Sequence, residues 1–311
     1  MITRDHLELS TSLRYSWRNM VFSATCASAA FALVHSPIAP WLEVPITVVA
    51  ILGTALAIIL GFKNSSAYDR WWEARKIWGG VVNDSRTLTR QVLSMALTAT
   101  VPASSREALR GMVRTHLAWI NALRLQLRRI GDEERWKNEV SVHLAPEQYA
   151  ALRAKTNKVT HLGLQQGAVL KGLHDDGAID SILYAQMDNT LARLTDLQGM
   201  AERIRSTPLP RPYDYYTKAF LNVFILFFPF GVVRTFEDYN HAWLVIPVTV
   251  IIGWIFYQLY IFGKVMSNPF ENWQTDVALD AICTTIAIDL KEALGDTDVP
   301  KPLEPVDGVL M

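Results

Sequence analysis

Val44–Phe62 reads VPITVVAILGTALAIILGF, a stretch without a single charged side chain. A helix needs about 20 mostly apolar residues to cross a bilayer, and this run supplies them. Three more apolar runs flank it along the chain: Asn19–Val34 (NMVFSATCASAAFALV), Tyr216–Val233 (YTKAFLNVFILFFPFGVV) and Trp243–Gly263 (WLVIPVTVIIGWIFYQLYIFG). Aromatic residues gather near their ends, among them Trp17, Trp41, Tyr215, Tyr216, Trp243, Tyr257 and Tyr260. Such a distribution is that of an interfacial aromatic belt. Ala27-Ser28-Ala29 mimics a signal-peptide cleavage site, but it lies in the middle of the first run and is read as part of a span.

The loops set the expected orientation. His35–Glu43 contains no Lys or Arg, and Arg234–Ala242 has only Arg234, at the edge of a span. Arg4, Arg14 and Arg18 precede the first run, Lys264 follows the last, and most of the 30 Lys and Arg residues fall in the middle block. Positive residues stay inside, so both termini and the middle block are expected in the cytoplasm of a multi-pass protein of the inner membrane.

The reading is therefore an all-α, polytopic membrane protein with about four transmembrane helices and a cytoplasmic helical region. Its expected segments are 1–66, with the first two spans; 67–212, a helical block; 213–264, the third and fourth spans; and 265–311, a helix and a flexible tail. In the block, Leu109, Met112, Val113, His116, Leu117, Ile120, Leu123 and Leu127 recur at three and four, as on a helix face. Ser104-Ser105-Arg106-Glu107 reads as a helix start with a capping Ser, Pro146 as another start, and His174–Gly177 as a turn. Thr207–Pro212 breaks the helix before the third span. Trp273–Leu294 reads as one more amphipathic helix, and Asp296–Met311 as extended or disordered.

Half of the residues are apolar and the formal net charge is zero, which leaves no electrostatic footprint for a nucleic-acid partner. Cys26 and Cys283 lie in no CxxC pair and read as small buried hydrophobes. No phosphate-binding glycine loop, zinc-protease or nucleophile-elbow motif is present, and no EF-hand spacing surrounds Asp175-Asp176-Gly177. His116 and His161 read as hydrogen-bonded structural histidines. The chain is expected to be no enzyme, with no cofactor and no metal.

On the second span, Ala50, Gly53, Ala57 and Gly61 form a stripe of small residues that permits close helix approach. Thr54, Ile58 and Phe62, four apart, form the stripe beside it. Lys63-Asn64-Ser65-Ser66 follows abruptly. Such a helix could run from an apolar constriction, which gates ions by dewetting, into a wet vestibule. It could equally be a lipid-spanning helix reaching the headgroups. Beyond it, Asp69 and Glu73 with Arg70 and Arg75 allow intrahelical ion pairs around Trp71-Trp72.

Gly61-Phe62 with Arg70-Trp71-Trp72 nine positions on, Asn268-Pro269-Phe270 after the last span, Tyr213-Asp214-Tyr215 before the third and Tyr15-Ser16-Trp17-Arg18 before the first resemble the bestrophin family in its bacterial branch. The resemblance spans about residue 10 to about 290. It implies a homopentamer in membrane lipid with one axial pore for permeant small monovalent ions, an anion (chloride) channel. It further implies a hydrophobic neck at Thr54, Ile58 and Phe62, where Thr54 departs from the bulky apolar pattern. A cytoplasmic exit constriction would fall at Ile179, Ile182 or Leu183, with Ile179 favoured. The acidic run that binds calcium in eukaryotic members is absent after Phe270, where Glu271-Asn272-Trp273-Gln274-Thr275-Asp276 stands instead. An uncharged neck does not choose an ion's sign, so a monovalent cation (sodium) channel of the same architecture stays open, as does a membrane-bound signalling or scaffold protein.

Overall fold

A computed structural model of the chain describes residues 1–3, 9–37, 44–97 and 101–311. Among them the structure is nearly all helical, with isolated bridges (Ile2 with Val309, Val306 with Val309) and no strands. The helices are α1 (Leu9–Val34), α2 (Ile46–Arg90, prolonged as a wider turn over Gln91–Ala96), α3 (Ala103–Leu127), α4 (Glu133–Glu139), α5 (Pro146–Arg153), α6 (Lys158–Asp175), α7 (Ser181–Ser206), α8 (Arg211–Glu237), α9 (Val245–Met266) and α10 (Leu279–Leu294). They group into two compact units, Arg4–Trp71 with Pro208–Asn268, and Met1–Thr3 with Trp72–Thr207 and Pro269–Met311.

The first unit holds α1, the first part of α2, α8 and α9. Among the described residues three helices are long and apolar enough to cross a membrane: Ile46–Ala96, Arg211–Glu237 and Ala242–Met266. α1 is not among them, because its apolar stretch is short and Arg18 and Asn19 precede it within the helix. α1 packs on α9 and α8, and the Asn19 amide donates to the Gly253 carbonyl at 3.2 Å. A β-carbon at Gly253 would collide with Ser23, so glycine is what lets α9 approach α1 this closely. The core between α2, α8 and α9 is built from Val49, Leu56, Leu60, Leu221, Phe224 and Tyr260. A second cluster joins Val34, Val233 and Val245.

The second unit is organised around α3, which packs on α6, α10 and α7. The face Leu109, Met112, Val113, His116, Leu117, Ile120, Leu123 and Leu127 is buried throughout. Its start differs from the sequence reading: the N-cap is Pro102, not a serine, and its carbonyl accepts the Arg106 N–H at 3.0 Å. Proline's fixed φ pre-sets the entry of the chain into the helix. α5 opens at Pro146, and α6 ends in a turn with Gly177 at φ +68°. α7 is capped by Asp180, whose carboxylate accepts the Leu183 N–H at 2.7 Å. Trp273–Leu294 is not one helix. α10 starts only at Leu279, because Asp276 turns back to accept the Trp273 N–H at 3.1 Å and Pro269 accepts the Val277 N–H. The tail after Gly295 is extended, and Thr3 donates to Gly308 at 2.9 Å.

Buried polar groups in this unit are networked. Asp280 accepts from Arg124 at 2.8 Å and from Arg128 at 2.7 Å, and Arg124 also meets Glu139. Cys283 beside them is buried, and burial pushes its thiol up to about 12, so it is an inert hydrophobe at neutral pH.

Candidate functional site

The second span is the element whose sequence proposes chemistry, and its two faces behave differently. Val49, Leu56, Leu60, Lys63 and Ala67 are buried in the first unit, at spacings of three, four and seven. On the other side Thr54 is exposed, Ile58 is 55% exposed and Phe62 is 68% exposed. Ala50, Ala57 and Gly61 are exposed next to them, and a β-carbon at Gly61 would meet nothing within 4 Å. Gly53 departs from that stripe, for it faces the Phe224 ring. One side of α2 is thus a largely apolar, exposed line with small residues alongside, turned away from the core that the described residues of α2, α8 and α9 form.

Directly after Phe62 the character is not what the sequence suggested. Lys63, read as the first residue of a wet stretch, is 2% exposed. Nine residues from Thr54, it lies about 180° around the helix from it and points into the bundle. Its ammonium sits 2.5 Å from the Asp214 carboxylate and 4.0 Å from the centroid of the Tyr260 ring. The Tyr260 hydroxyl donates to the other Asp214 oxygen at 3.1 Å. Pro210 and the Arg211-Pro212 opening of α8 place Asp214 in the first helical turn, where a carboxylate also meets the positive end of the helix dipole. Nearby, the Tyr213 hydroxyl donates to the Ile59 carbonyl at 3.1 Å, and the Arg70 Nε–H donates to the Ser267 carbonyl at 2.6 Å. A β-carbon at Gly263 would collide with Asn64. Sequence reasoning singled out Tyr213-Asp214-Tyr215 only as a motif. The signal it passed over was a lysine at the helical angle of the buried leucines, Leu56 and Leu60.

The remaining motif residues fall as follows. Trp71 is half-buried and stacks with Tyr68, centroids 6.3 Å apart. Trp72 is exposed. Asn268 is half-buried at the end of the first unit, while Pro269 and Phe270 are buried in the second. Glu73 pairs at 2.8 Å with Arg203 rather than within its own helix. Of the three residues proposed for an exit constriction, Ile179 is 5% exposed and Leu183 is also buried, whereas Ile182 is 72% exposed. Among the described residues no group of three or more His, Cys, Asp or Glu is placed to hold a metal ion.

The family model described as bacterial/fungal bestrophin protein matches residues 9–292. The chain is 29% identical to a voltage-dependent anion channel-forming protein of Ralstonia nicotianae over 308 residues, 95% of each chain. It is 30% identical to one of Mesorhizobium japonicum over 88% of this chain and 85% of that one. Among solved structures, a bacterial bestrophin homologue from Klebsiella pneumoniae superposes with a TM-score of 0.80 at 26% identity, covering 90% of this chain and 98% of that one.

Proposed function

The chain belongs to the bacterial/fungal bestrophin family, and from that premise we propose that it is one subunit of a homopentameric anion channel whose pore is lined by α2. The observation that carries this is the exposed line Thr54, Ile58, Phe62 on a helix whose opposite face is buried against α8 and α9. Small residues beside that line, Ala57 and Gly61, suit the close approach of a neighbouring helix better than lipid. Five copies arranged about an axis would turn Ile58 and Phe62 into two apolar rings. Such rings offer an ion nothing in place of its hydration water, so conduction needs a wetted, wider state. The rings themselves do not select a sign. Chloride-like anions as the cargo are supported by the names of the relatives, which are called anion channel-forming. Those names and the family speak for transport rather than catalysis.

In this reading α1 is the fourth crossing, with Arg14 and Arg18 in the cytoplasmic headgroup region and Trp17 at the interface. The helical block and both termini face the cytoplasm, by the distribution of Lys and Arg. Exposure favours Ile182 over Ile179 and Leu183 for the exit constriction, since only a side chain free within its own subunit can line a shared passage. The test is a planar bilayer with purified protein and asymmetric sodium chloride. A reversal potential near that of chloride is expected. A reversal potential near that of sodium would replace anion by cation selectivity, and no current would remove the channel reading. Native mass spectrometry in mild detergent is expected to give five chains; a stable monomer or dimer would sink the axial pore.

A further inference from the structure

Contacts along α2 change in kind from one end of the bundle to the other. At Val49, Leu56 and Leu60 they are apolar, and such contacts are non-directional and tolerate a turn of the helix about its axis. From Ile59 inward they become directional: Tyr213 to the Ile59 carbonyl, Lys63 to Asp214, and Arg70 to the Ser267 carbonyl. The centre of this set is the buried pair Lys63 and Tyr260 with the half-buried Asp214, a cluster that starts one residue after Phe62 and lies on the opposite face. An ammonium removed from water carries a desolvation cost of several kcal/mol, and an apolar side chain of the same length would not. The ammonium is kept out of water at the end of the span, where a long charged side chain could otherwise reach the headgroups, so its inward turn toward Asp214 calls for a role.

We propose that Lys63, Asp214 and Tyr260 are positioning residues that form a latch: they fix the rotation of α2 and hold the side chains of Ile58 and Phe62 in the narrow arrangement of the neck. The inference rests on the reading of α2 as pore-lining. Turning α2 so that Phe62 leaves the axis would draw Lys63 away from Asp214 and leave a buried charge without its partner. The latched rotation is therefore the dewetted one, and opening requires the pair to separate or to move as a body with the start of α8. Tyr260 ties the same carboxylate to α9, so that the three helices share one anchor.

The test uses the full-length protein in planar bilayers with single-channel recording. Lys63→Met and Asp214→Asn are each expected to raise open probability by about threefold or more, as weakening one of two competing states requires. The double variant is expected to match a single one, because both remove the same interaction. Asp214→Glu, which keeps the charge, is expected to gate like the unmodified chain, a rescue that a packing role would not produce. Tyr260→Phe keeps the ring under Lys63 and loses only the hydroxyl hydrogen bond. It is expected to shift open probability the same way by less, and it decides the matter where the charge variants fail to assemble. Unchanged gating in Tyr260→Phe and Asp214→Asn, with Phe62→Ala altering the current, overturns the latch and leaves the channel. A silent unmodified protein removes both.

Discussion

Ile58 and Ile59 are adjacent in α2 yet belong to different environments: the Ile58 side chain is more than half exposed, while Ile59 is half-buried and its carbonyl accepts a hydrogen bond from Tyr213. One residue is about 100° of helix rotation. If Ile58 and Phe62 face the axis, Ile58→Ala and Phe62→Ala remove bulk from two rings and should raise unitary conductance severalfold. Ile59→Ala should leave it within a factor of about two, at a stability cost of about 1–3 kcal/mol for a partly buried aliphatic side chain. Conductance rising in Ile59→Ala alone would put the pore on another face of α2.

At the start of α7 the same contrast separates Ile179 from Ile182. Ile179→Ala trims a buried side chain and should destabilise the protein by about 2–4 kcal/mol, read as a lower thermal midpoint in detergent. Ile182→Ala removes an exposed side chain, should leave that midpoint nearly unchanged, and should alter conductance or the relative permeability of anions. The opposite pattern would return the exit constriction to Ile179.

Much of this architecture was legible because membrane spans and amphipathic faces depend on composition and spacing alone. The α3 face from Leu109 to Leu127 follows from a period of three and four, and Val44–Phe62 from length and apolarity. What escaped depended on contacts between distant segments. Lys63 looks like the onset of a wet stretch until Asp214 and Tyr260, from two other helices, surround it. The delayed start of α10 depends on Asp276 accepting a backbone N–H from its own loop, which helical periodicity cannot register. Ile179 and Ile182 both fit a constriction by type. Residue type cannot register that the fold buries Ile179 and leaves Ile182 exposed.

Calcium offers a further check. The loop after Phe270 carries Glu271, which meets Arg205, and Asp276, which turns back onto Trp273. Calcium takes six to eight oxygen ligands, and these two carboxylates are already engaged. Currents recorded with micromolar calcium and with a chelator should superimpose. Steep activation by calcium would show that ligands come from elsewhere.

The last expectation concerns pH, and two buried groups of the second unit give it opposite signs. His116 is fully buried. Its Nε2–H donates to the Ser85 hydroxyl at 2.9 Å, because that hydroxyl itself donates to the Val81 carbonyl. Burial lowers its pKa from 6.5 to about 3. Below pH 6.5 the unfolded chain takes up a proton that the folded chain refuses, so this group contributes stability above that pH and loses it as pH falls toward 3. Asp276 is buried too, and burial raises its carboxyl to about 6, against the opposing pull of the backbone N–H donors and Arg128. Between about pH 4 and 6 the folded chain holds a proton that the unfolded chain has released, so stability from this group falls as pH rises through that window. Each slope is about 1.4 kcal/mol per pH unit, and the two offset each other in the unmodified protein. Asp276→Asn should therefore gain stability relative to the unmodified protein as pH rises from 4 to 6, reaching about 3 kcal/mol. His116→Gln should carry a constant packing penalty from its contact with Trp119 and gain relative stability as pH falls from 6.5 to 4. Denaturant or thermal unfolding of the two variants and the unmodified protein between pH 4 and 7.5 reads both differences directly. Parallel curves for Asp276→Asn and the unmodified chain would mean that Asp276 is ionised throughout, with its carboxylate compensated by the N–H donors and Arg128.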